Sequence, residues 1–389
     1  MKDISNVNVL INASGIVDSG GARVFEKLLN ELSASPSHHY YIVCSRGVNL
    51  DFLMSRYVTY SNVHFITTPK KGLLYRLYYE NFTFRKIISK KDIQLIYNFS
   101  GSYQFFIKIP QLVKIQNLIF FSRKLDFCYE KKLSFFVWIK QVYVRRLIIS
   151  YMFTLGNQTN THIEIQSIHV KNNLSDFINI NKKNFYVKSD ISVQDKDFQS
   201  PKKYDFNNKV NFLYIVGPHF DVMNKNFIDF TNVMLGLDSL GINFEINITL
   251  SYKQLNNSNV WDSSLNCKTN FLGYISDQEQ MTKLFYDNTI LISTSIIETL
   301  GLHVIEGIKN GIITIAPDEK YANAVYGENM LTYELFNKDD LSKTIMTVIN
   351  CKKSYSEKIL SIQDDLRQSE MSKFSNILDV FNEVLNVQK

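Results

Sequence analysis

The chain has 389 residues, 45% of them hydrophobic and 13% aromatic, which excludes a disordered protein and allows two domains of ordinary size. Its net charge of +6 is uneven: residues 1–200 hold 26 lysines and arginines against 14 acids, whereas residues 201–389 hold 17 against 23. No uncharged apolar run reaches the ~18 residues of a membrane-spanning helix, so the sequence argues against an integral membrane protein and favours an anionic partner for the basic half.

The cysteines and the first residues predict a cellular compartment. Cys44, Cys128, Cys267 and Cys351 are scattered, without a C-x-x-C pair, which favours a reducing environment over a disulfide framework or a zinc cluster. The chain runs directly into a strand pattern, which predicts no secretory signal. We therefore expect a cytoplasmic protein.

The first elements are a strand, a glycine-containing loop and a helix. Val7–Ile11 is typical of a buried strand, Gly15–Gly21 of a flexible loop that includes Gly20 and Gly21, and the following residues of an amphipathic helix. Glycines let a backbone approach a phosphate or a sugar closely, so this loop is a candidate ligand cradle. A plain helix-entry turn explains the same spacing, and both interpretations stay open.

Further strands alternate with helices, which is typical of a parallel sheet covered on both faces. These strands are predicted at Tyr40–Cys44, Val63–Thr67, Ile93–Tyr97, Leu112–Ile115 and His162–Gln166. The predicted helix Leu73–Lys91 is basic and rich in tyrosine and phenylalanine, a combination suited to lipid headgroups. Nucleic acid could use the same residues, but no recognised binding motif accompanies them.

A second βα series follows a polar segment, Asp190–Asn208, which we interpret as a linker. The sequence thus predicts a first domain over residues 1–200 and a second over 205–371, followed by a helix over 372–389. Ser276–Glu279 matches a capping box for a helix that runs to Tyr286.

The stretch Ser293–Asp318 is the most informative part of the chain. It follows an apolar strand, contains residues at helical spacing that end at Gly311, and continues into a second apolar strand, so it predicts one βαβ unit. The start of its helix, at the carboxyl edge of a parallel sheet, is a candidate diphosphate site. Glu298 and Glu306 flank it, and carboxylates beside a diphosphate would face hydroxyl donors such as a ribose and a sugar.

Glu298 and Glu306, with Gly301-Leu302 between them and Asn310-Gly311 before the next strand, resemble the E-x7-E signature of retaining glycosyltransferases of family 4 (glycosyltransferases group 1). The resemblance implies an α/β protein of the GT-B fold, with two Rossmann-like, doubly wound domains that face each other across a cleft. It also implies that the first domain binds the acceptor, that the second binds the nucleotide-sugar donor, and that helix 372–389 packs back on the first domain.

The resemblance assigns roles to residues of the second domain. Glu298 would hold sugar hydroxyls as the catalytic carboxylate, Glu306 the ribose hydroxyls, and Lys225 the diphosphate. The remaining donor-binding candidates are the backbone around the helix start and the loops beside it: Thr299, Leu300, Gly301, Leu302, Gly217, Tyr274, Gly20 and Gly21. Tyr274 would lie against the nucleotide base, although a core aromatic would fit that position as well.

Three further positions follow from the same resemblance. Asn117, at the end of a strand, and His219 are candidates for contact with the sugar or the acceptor; a turn asparagine is the alternative for Asn117. Family members usually carry an arginine before the lysine of the diphosphate site, and none occurs between Gly217 and Lys225. His303 stands where proline is usual, a change that we expect to be tolerated.

The function implied is a retaining, metal-independent transfer of a sugar from a nucleoside-diphosphate sugar to a glycan or polyprenyl-diphosphate-linked acceptor in surface polysaccharide (O-antigen or capsule) biosynthesis. No metal or other cofactor is expected, and peripheral contact with an anionic membrane is a hypothesis. Two alternatives stay open: a nucleotide-sugar 2-epimerase of the same fold, and a non-catalytic sugar-nucleotide-binding subunit of a polysaccharide assembly complex.

Overall fold

The structure is a computed structural model of the chain. It describes residues 6–16, 19–45, 47–69, 73–105, 107–116, 118, 139, 143, 147, 160–175, 177, 184–191, 194–207, 209–218, 220, 223–275, 277–351, 355–369 and 374–387. The chain divides into two compact units. Unit 1 comprises Met1–Phe121, Ile139–Ser192 and Met371–Lys389, and unit 2 comprises Ser122–Trp138 and Val193–Glu370.

Unit 1 is built on a seven-stranded parallel sheet in the order β3-β2-β1-β4-β5-β6-β7. Its strands are Asn8–Ala13 (β1), His39–Ser45 (β2), Val63–Thr68 (β3), Leu95–Asn98 (β4), Gln111–Ile115 (β5), Thr161–Ile165 (β6) and Phe185–Val187 (β7). Its first helices are Ser19–Ser33 (α1), Val48–Tyr57 (α2), Leu73–Tyr78 (α3), Phe84–Lys91 (α4) and Ile168–Ser175 (α5). The predicted alternation of strands and helices is confirmed, because buried parallel strands are apolar runs that sequence reveals directly.

The predicted continuous helix Leu73–Lys91 is wrong in its middle. A π-helical turn, Tyr79–Thr83, separates α3 from α4. Glu80 in this turn is fully buried, and its Oε1 accepts hydrogen bonds from Ser14 Oγ (2.8 Å) and Arg76 Nε (2.6 Å). The wider π-helical turn points the Glu80 side chain into the unit. The spacing of apolar residues, from which the continuous helix was predicted, does not reveal such a turn.

Unit 2 is built on a six-stranded parallel sheet in the order β10-β9-β8-β11-β12-β13. Its strands are Val210–Tyr214 (β8), Phe244–Ile248 (β9), Thr269–Phe271 (β10), Thr289–Ile292 (β11), Ile313–Pro317 (β12) and Leu331–Tyr333 (β13). Its helices are Phe227–Ser239 (α6), Tyr252–Asn256 (α7), Gln278–Thr282 (α8), Leu302–Lys309 (α9), Lys320–Tyr326 (α10), Lys338–Asn350 (α11) and Ser356–Gln368 (α12). Because β8 leads to β9 on one side and β11 to β12 on the other, the chain reverses direction across the sheet between β8 and β11, where ligands bind in such folds.

One local prediction in unit 2 is corrected. Helix α8 is capped by Asp277, whose carboxylate accepts a hydrogen bond from Glu279 N, and it ends at Thr282 rather than Tyr286. The predicted linker is anchored on unit 2 over part of its length, since Gln199 N donates to Lys309 O (2.7 Å) and Lys202 N to Gly311 O (2.8 Å).

The last described helix, Ile377–Asn386 (α13), belongs to unit 1. Its buried residues join the core of that unit, and the ring of Phe381 packs edge-on against Tyr97 with centroids 5.3 Å apart. Glu31 Oε2 accepts a hydrogen bond from Ile377 N (2.9 Å) at the start of the helix. Among the described residues, no helix has the length and apolar character needed to cross a membrane.

Candidate functional site

The start of α9 lies next to the point where the strand order of unit 2 reverses. Gly301 is its N-cap residue, with φ 61° and ψ 59°, a left-handed conformation that favours glycine. A Cβ at this position would lie 1.9 Å from the phenol oxygen of Tyr326, so space as well as conformation requires glycine. Val304 N already donates to the N-cap carbonyl, Gly301 O (2.9 Å). The N–H groups of Leu302 and His303 come before any acceptor that the helix itself can offer, and they point with the positive end of the helix dipole toward the carboxyl edge of the sheet.

A short 3₁₀ turn, Met223–Lys225, lies against the loop that leads from β11 to α9. Lys225 O accepts a hydrogen bond from Thr294 Oγ1 (2.8 Å), and Asn224 O accepts one from Ile296 N (2.8 Å). The phenol oxygen of Tyr214 lies 2.7 Å from Thr294 Oγ1. These contacts fix the Lys225 backbone beside the residues that precede α9.

Lys225 and Glu298 therefore form an ion pair, with Nζ and Oε1 2.5 Å apart, although 73 residues separate them in sequence. The Glu298 side chain is 15% exposed and that of Lys225 is 27% exposed. Burial would raise the pKa of Glu298, but the charge and hydrogen bond of Lys225, together with His303 and Ser295, hold that pKa below its usual value. Glu298 is thus an ionised carboxylate that already has a cationic partner.

His303 is a second side chain beside Glu298. Its Nε2 lies 3.0 Å from Ser293 Oγ. Burial lowers the pKa of His303 to about 4, a shift that the charge of Lys225 reinforces and that of Glu298 opposes only in part. The imidazole is therefore neutral near pH 7, and it does not replace the positive charge of the absent arginine. Sequence reasoning treated His303 as a tolerated substitution and missed its place in the site.

Two tyrosines complete the surroundings of this loop. Tyr321 donates a hydrogen bond to Ser295 O (2.6 Å) and so fixes the loop before Glu298. Tyr326 is fully buried, and its hydroxyl has no hydrogen-bond partner among the described residues. Nothing in the local sequence singled out either residue, because both come from α10, beyond the next strand of the sheet.

The other candidates near α9 occupy the expected segment. Thr299 and Leu300 lie in the loop before Gly301, with Leu300 buried to 1% exposure, so only its backbone is available to a ligand. Glu306 lies in the second turn of α9, partly buried, and its carbonyl accepts hydrogen bonds from Asn310 N (3.0 Å) and Asn310 Nδ2 (2.8 Å). The proposed contact of Glu306 with a ribose stays a prediction.

The remaining candidates are placed as follows. Gly217 is exposed after β8, and a Cβ there would meet nothing within 4 Å. Tyr274 is 54% exposed, which excludes its alternative interpretation as a core aromatic. Gly20 and Gly21 lie in the first turn of α1, so the predicted loop Gly15–Gly21 is wrong at its end. Asn117 and His219 lie outside the described residues.

No protein-family model and no curated protein sequence matches the chain. Solved structures do match it over nearly its whole length. WaaG, a glycosyltransferase involved in lipopolysaccharide biosynthesis, has a TM-score of 0.66 at 12% identity, with 97% of this chain and 99% of that chain covered. HepE from Anabaena, solved with UDP and glucose, has a TM-score of 0.60 at 12% identity and covers 98% and 99%.

The chain has the GT-B fold. Its two parallel sheets of seven and six strands are those of Rossmann-like domains. A UDP-N-acetylglucosamine 2-epimerase homologue from Listeria monocytogenes matches as well, with a TM-score of 0.54 at 12% identity over 97% of this chain and 96% of that chain. Because glycosyltransferases and an epimerase share the likeness, the fold by itself does not fix the reaction.

Proposed function

We propose that the protein is a retaining, metal-independent glycosyltransferase of family 4, which transfers a sugar from a nucleoside-diphosphate sugar to a glycan or polyprenyl-diphosphate-linked acceptor in surface polysaccharide biosynthesis. The observation that carries the proposal is the Lys225–Glu298 pair beside the N-terminus of α9. A cation, the amide N–H groups of the first turn of α9 and an ionised carboxylate then lie together at the point where a GT-B donor domain reverses its strand order.

The proposed chemistry divides the charges among these groups. The departing diphosphate accepts hydrogen bonds from the amides of α9 and from Lys225, which supply positive charge without a metal ion. Glu298 accepts hydrogen bonds from sugar hydroxyls, Glu306 from ribose hydroxyls, and the exposed ring of Tyr274 covers the base. Because the transition state resembles an oxocarbenium ion, the negative charge of Glu298 also favours it over the ground state.

The first test of the proposal is ligand binding followed by product analysis. We expect at least one of the UDP-, GDP- and dTDP-sugars to raise the melting temperature, since ligand at a hundred times its Kd adds about 2.7 kcal/mol. With an acceptor, we expect free nucleoside diphosphate and a product that retains the anomeric configuration of the donor, with the same rate in EDTA.

Each alternative gives a different result in this test. An isomerised sugar nucleotide formed without acceptor would identify an epimerase, the activity named for one of the structural neighbours. Donor binding without turnover on any acceptor would indicate a non-catalytic subunit, and loss of transfer in EDTA would contradict metal independence.

The proposal also includes a cytoplasmic location. The free thiols of Cys44, Cys267 and Cys351 fit a reducing compartment of this kind.

The proposal also includes contact of unit 1 with an anionic membrane. Tyr78 and Phe82 are 61% and 55% exposed, and their rings stack with centroids 4.9 Å apart. The guanidinium of Arg85 lies 5.9 Å from the Phe82 ring centroid, and Lys86 and Lys90 are exposed on the following turns. Aromatic rings backed by cations suit the headgroup region of an anionic bilayer.

Replacing Tyr78 and Phe82 together by serine should abolish most binding to phosphatidylcholine vesicles that contain phosphatidylglycerol, because it removes the apolar part of this face. Vesicle co-sedimentation measures the effect. Phe52→Ser is the matched control, since Phe52 is 66% exposed on α2 of the same unit, where Arg56, one turn further on, is paired with Glu26. Equal loss in the control, or binding that is the same without phosphatidylglycerol, would contradict this attachment.

A further inference from the structure

The phenol of Tyr326 is a buried donor that the fold of unit 2 does not use. Tyr326 is the last residue of α10 and is 0% exposed, and its hydroxyl has no partner among the described residues. A buried hydroxyl without a partner costs free energy, and a phenylalanine would fill the same space without that cost. Tyr333 in the same unit also has a buried hydroxyl without a partner among the described residues, so what distinguishes Tyr326 is the place of its hydroxyl beside Glu298.

The hydroxyl lies at the N-cap of α9, next to Glu298. At the point where a Cβ of Gly301 would stand, the Tyr326 oxygen is 1.9 Å away and Glu298 Cγ is 3.6 Å away. Glycine at position 301 thus leaves room for the phenol oxygen, and the Glu298 side chain borders the same space through its Cγ. Burial raises the pKa of Tyr326 well above its usual value, and the nearby Glu298 charge raises it further, so the phenol remains a hydrogen-bond donor.

In the structure Glu298 has other donors. Lys225 Nζ holds Oε1 at 2.5 Å, and Ser295 contributes a further hydrogen bond. A diphosphate bound at the start of α9 carries more negative charge than one carboxylate and would attract the Lys225 ammonium to itself. Glu298, with its side chain only 15% exposed, would then lose its cationic partner and keep the hydrogen bond of Ser295, so a further donor would stabilise the carboxylate.

We propose that Tyr326 is a positioning residue, which donates its phenolic hydrogen bond to the Glu298 carboxylate when the diphosphate takes Lys225. The inference rests on the proposed function. In the donor complex this hydrogen bond keeps Glu298 ionised and aims the carboxylate at the sugar hydroxyls. Tyr326 acts through Glu298 and does not touch the ligand.

A double-mutant cycle tests this coupling. The probe is whichever of UDP, GDP, ADP, CDP and dTDP binds the full-length protein, and its Kd is measured by titration calorimetry. We expect Tyr326→Phe to weaken binding by about 10-fold when Glu298 is present, since a hydrogen bond to a charged group is lost. In the Glu298→Ala background, the same substitution should have no effect on Kd.

Two further variants make the result specific. Tyr333→Phe removes another buried hydroxyl of unit 2 that lacks a partner among the described residues, and its Kd should equal that of the unmodified protein. Should Glu298→Ala not fold, Glu298→Gln replaces it, and the effect of Tyr326→Phe should shrink to about 3-fold because the acceptor is neutral. The melting temperature of Tyr326→Phe should be unchanged or higher.

The outcomes separate the inference from the proposed function. Unchanged binding in Tyr326→Phe overturns the inference and leaves the proposed function standing. Equal weakening with and without Glu298 also overturns it, because the hydroxyl would then contact the nucleotide directly. Failure of all five nucleotides to bind the unmodified protein overturns the proposed function, and the inference with it.

Discussion

Replacing Lys114 by methionine is expected to lower the free energy of unfolding by about 3–5 kcal/mol, because it leaves buried carboxylates without their cation. Lys114 is 1% exposed in β5, and its Nζ lies 2.6 Å from Glu164 Oε1 and 2.7 Å from Asp190 Oδ1. Tyr97 donates a hydrogen bond to Glu164 Oε2 (2.5 Å). Burial would lower the pKa of Lys114, but the two carboxylates hold it above its usual value, so the ammonium stays charged.

Hydrogen exchange of the β5 amides measures this loss within unit 1, and Lys108→Met, at an exposed lysine of the same unit, is the control. Burial would raise the pKa of Asp190, but Lys114 and its other partners hold it below its usual value, so this carboxylate stabilises the fold at neutral pH and less as pH falls. The penalty in Lys114→Met should accordingly shrink below about pH 4. Exchange rates in Lys114→Met that equal those of the control would show that the ion pairs of Lys114 with Glu164 and Asp190 do not stabilise unit 1.

Replacing Lys225 by methionine should weaken binding of the nucleoside diphosphate by roughly 10- to 150-fold, which corresponds to about 1.5–3 kcal/mol for one charge-assisted hydrogen bond. The effect should be large because no arginine stands between Gly217 and Lys225, and because His303, with a pKa of about 4, is neutral. Lys225 would therefore supply the main side-chain charge for the diphosphate.

Titration calorimetry with the nucleotide that binds the unmodified protein measures this effect. Lys253→Met, at an exposed lysine of α7 in the same unit, is the matched control and should leave Kd unchanged. A normal Kd in Lys225→Met would place the diphosphate away from the Lys225–Glu298 pair and would remove the observation on which the proposed function depends.

The sequence predicted the fold where the evidence is local. Buried parallel strands such as Leu112–Ile115 are short apolar runs, and α9 is marked by its apolar period and by Gly311, which has φ 70° and a Cβ position 2.4 Å from Ser200 O. The π turn around Glu80 escaped prediction because one inserted residue changes the direction of a side chain without changing composition. The cap at Asp277 escaped because two adjacent residues could both serve.

The candidate site was also predicted only in part, and the predicted part is again the local one. Glu298, Gly301 and Glu306 were predicted because they belong to one continuous motif whose spacing is visible in the chain. The sequence did not predict the pairing of Lys225 with Glu298, and it did not predict the position of Tyr326 against Gly301. Each of these contacts joins segments that follow different strands.

The sequence by itself determined the α/β class and the βαβ unit around Ser293–Asp318. It also showed that Glu298 and Glu306 belong to that unit. Only the tertiary structure decided which charges meet: Lys225 with Glu298 in unit 2, and Lys114 with Glu164 and Asp190 in unit 1. The physical reason is that side-chain periodicity is set within a few residues by backbone geometry, whereas charge pairing depends on strand order. Strand order is fixed by packing across the whole sheet, so residues 50 or 73 positions apart become neighbours without any local signal.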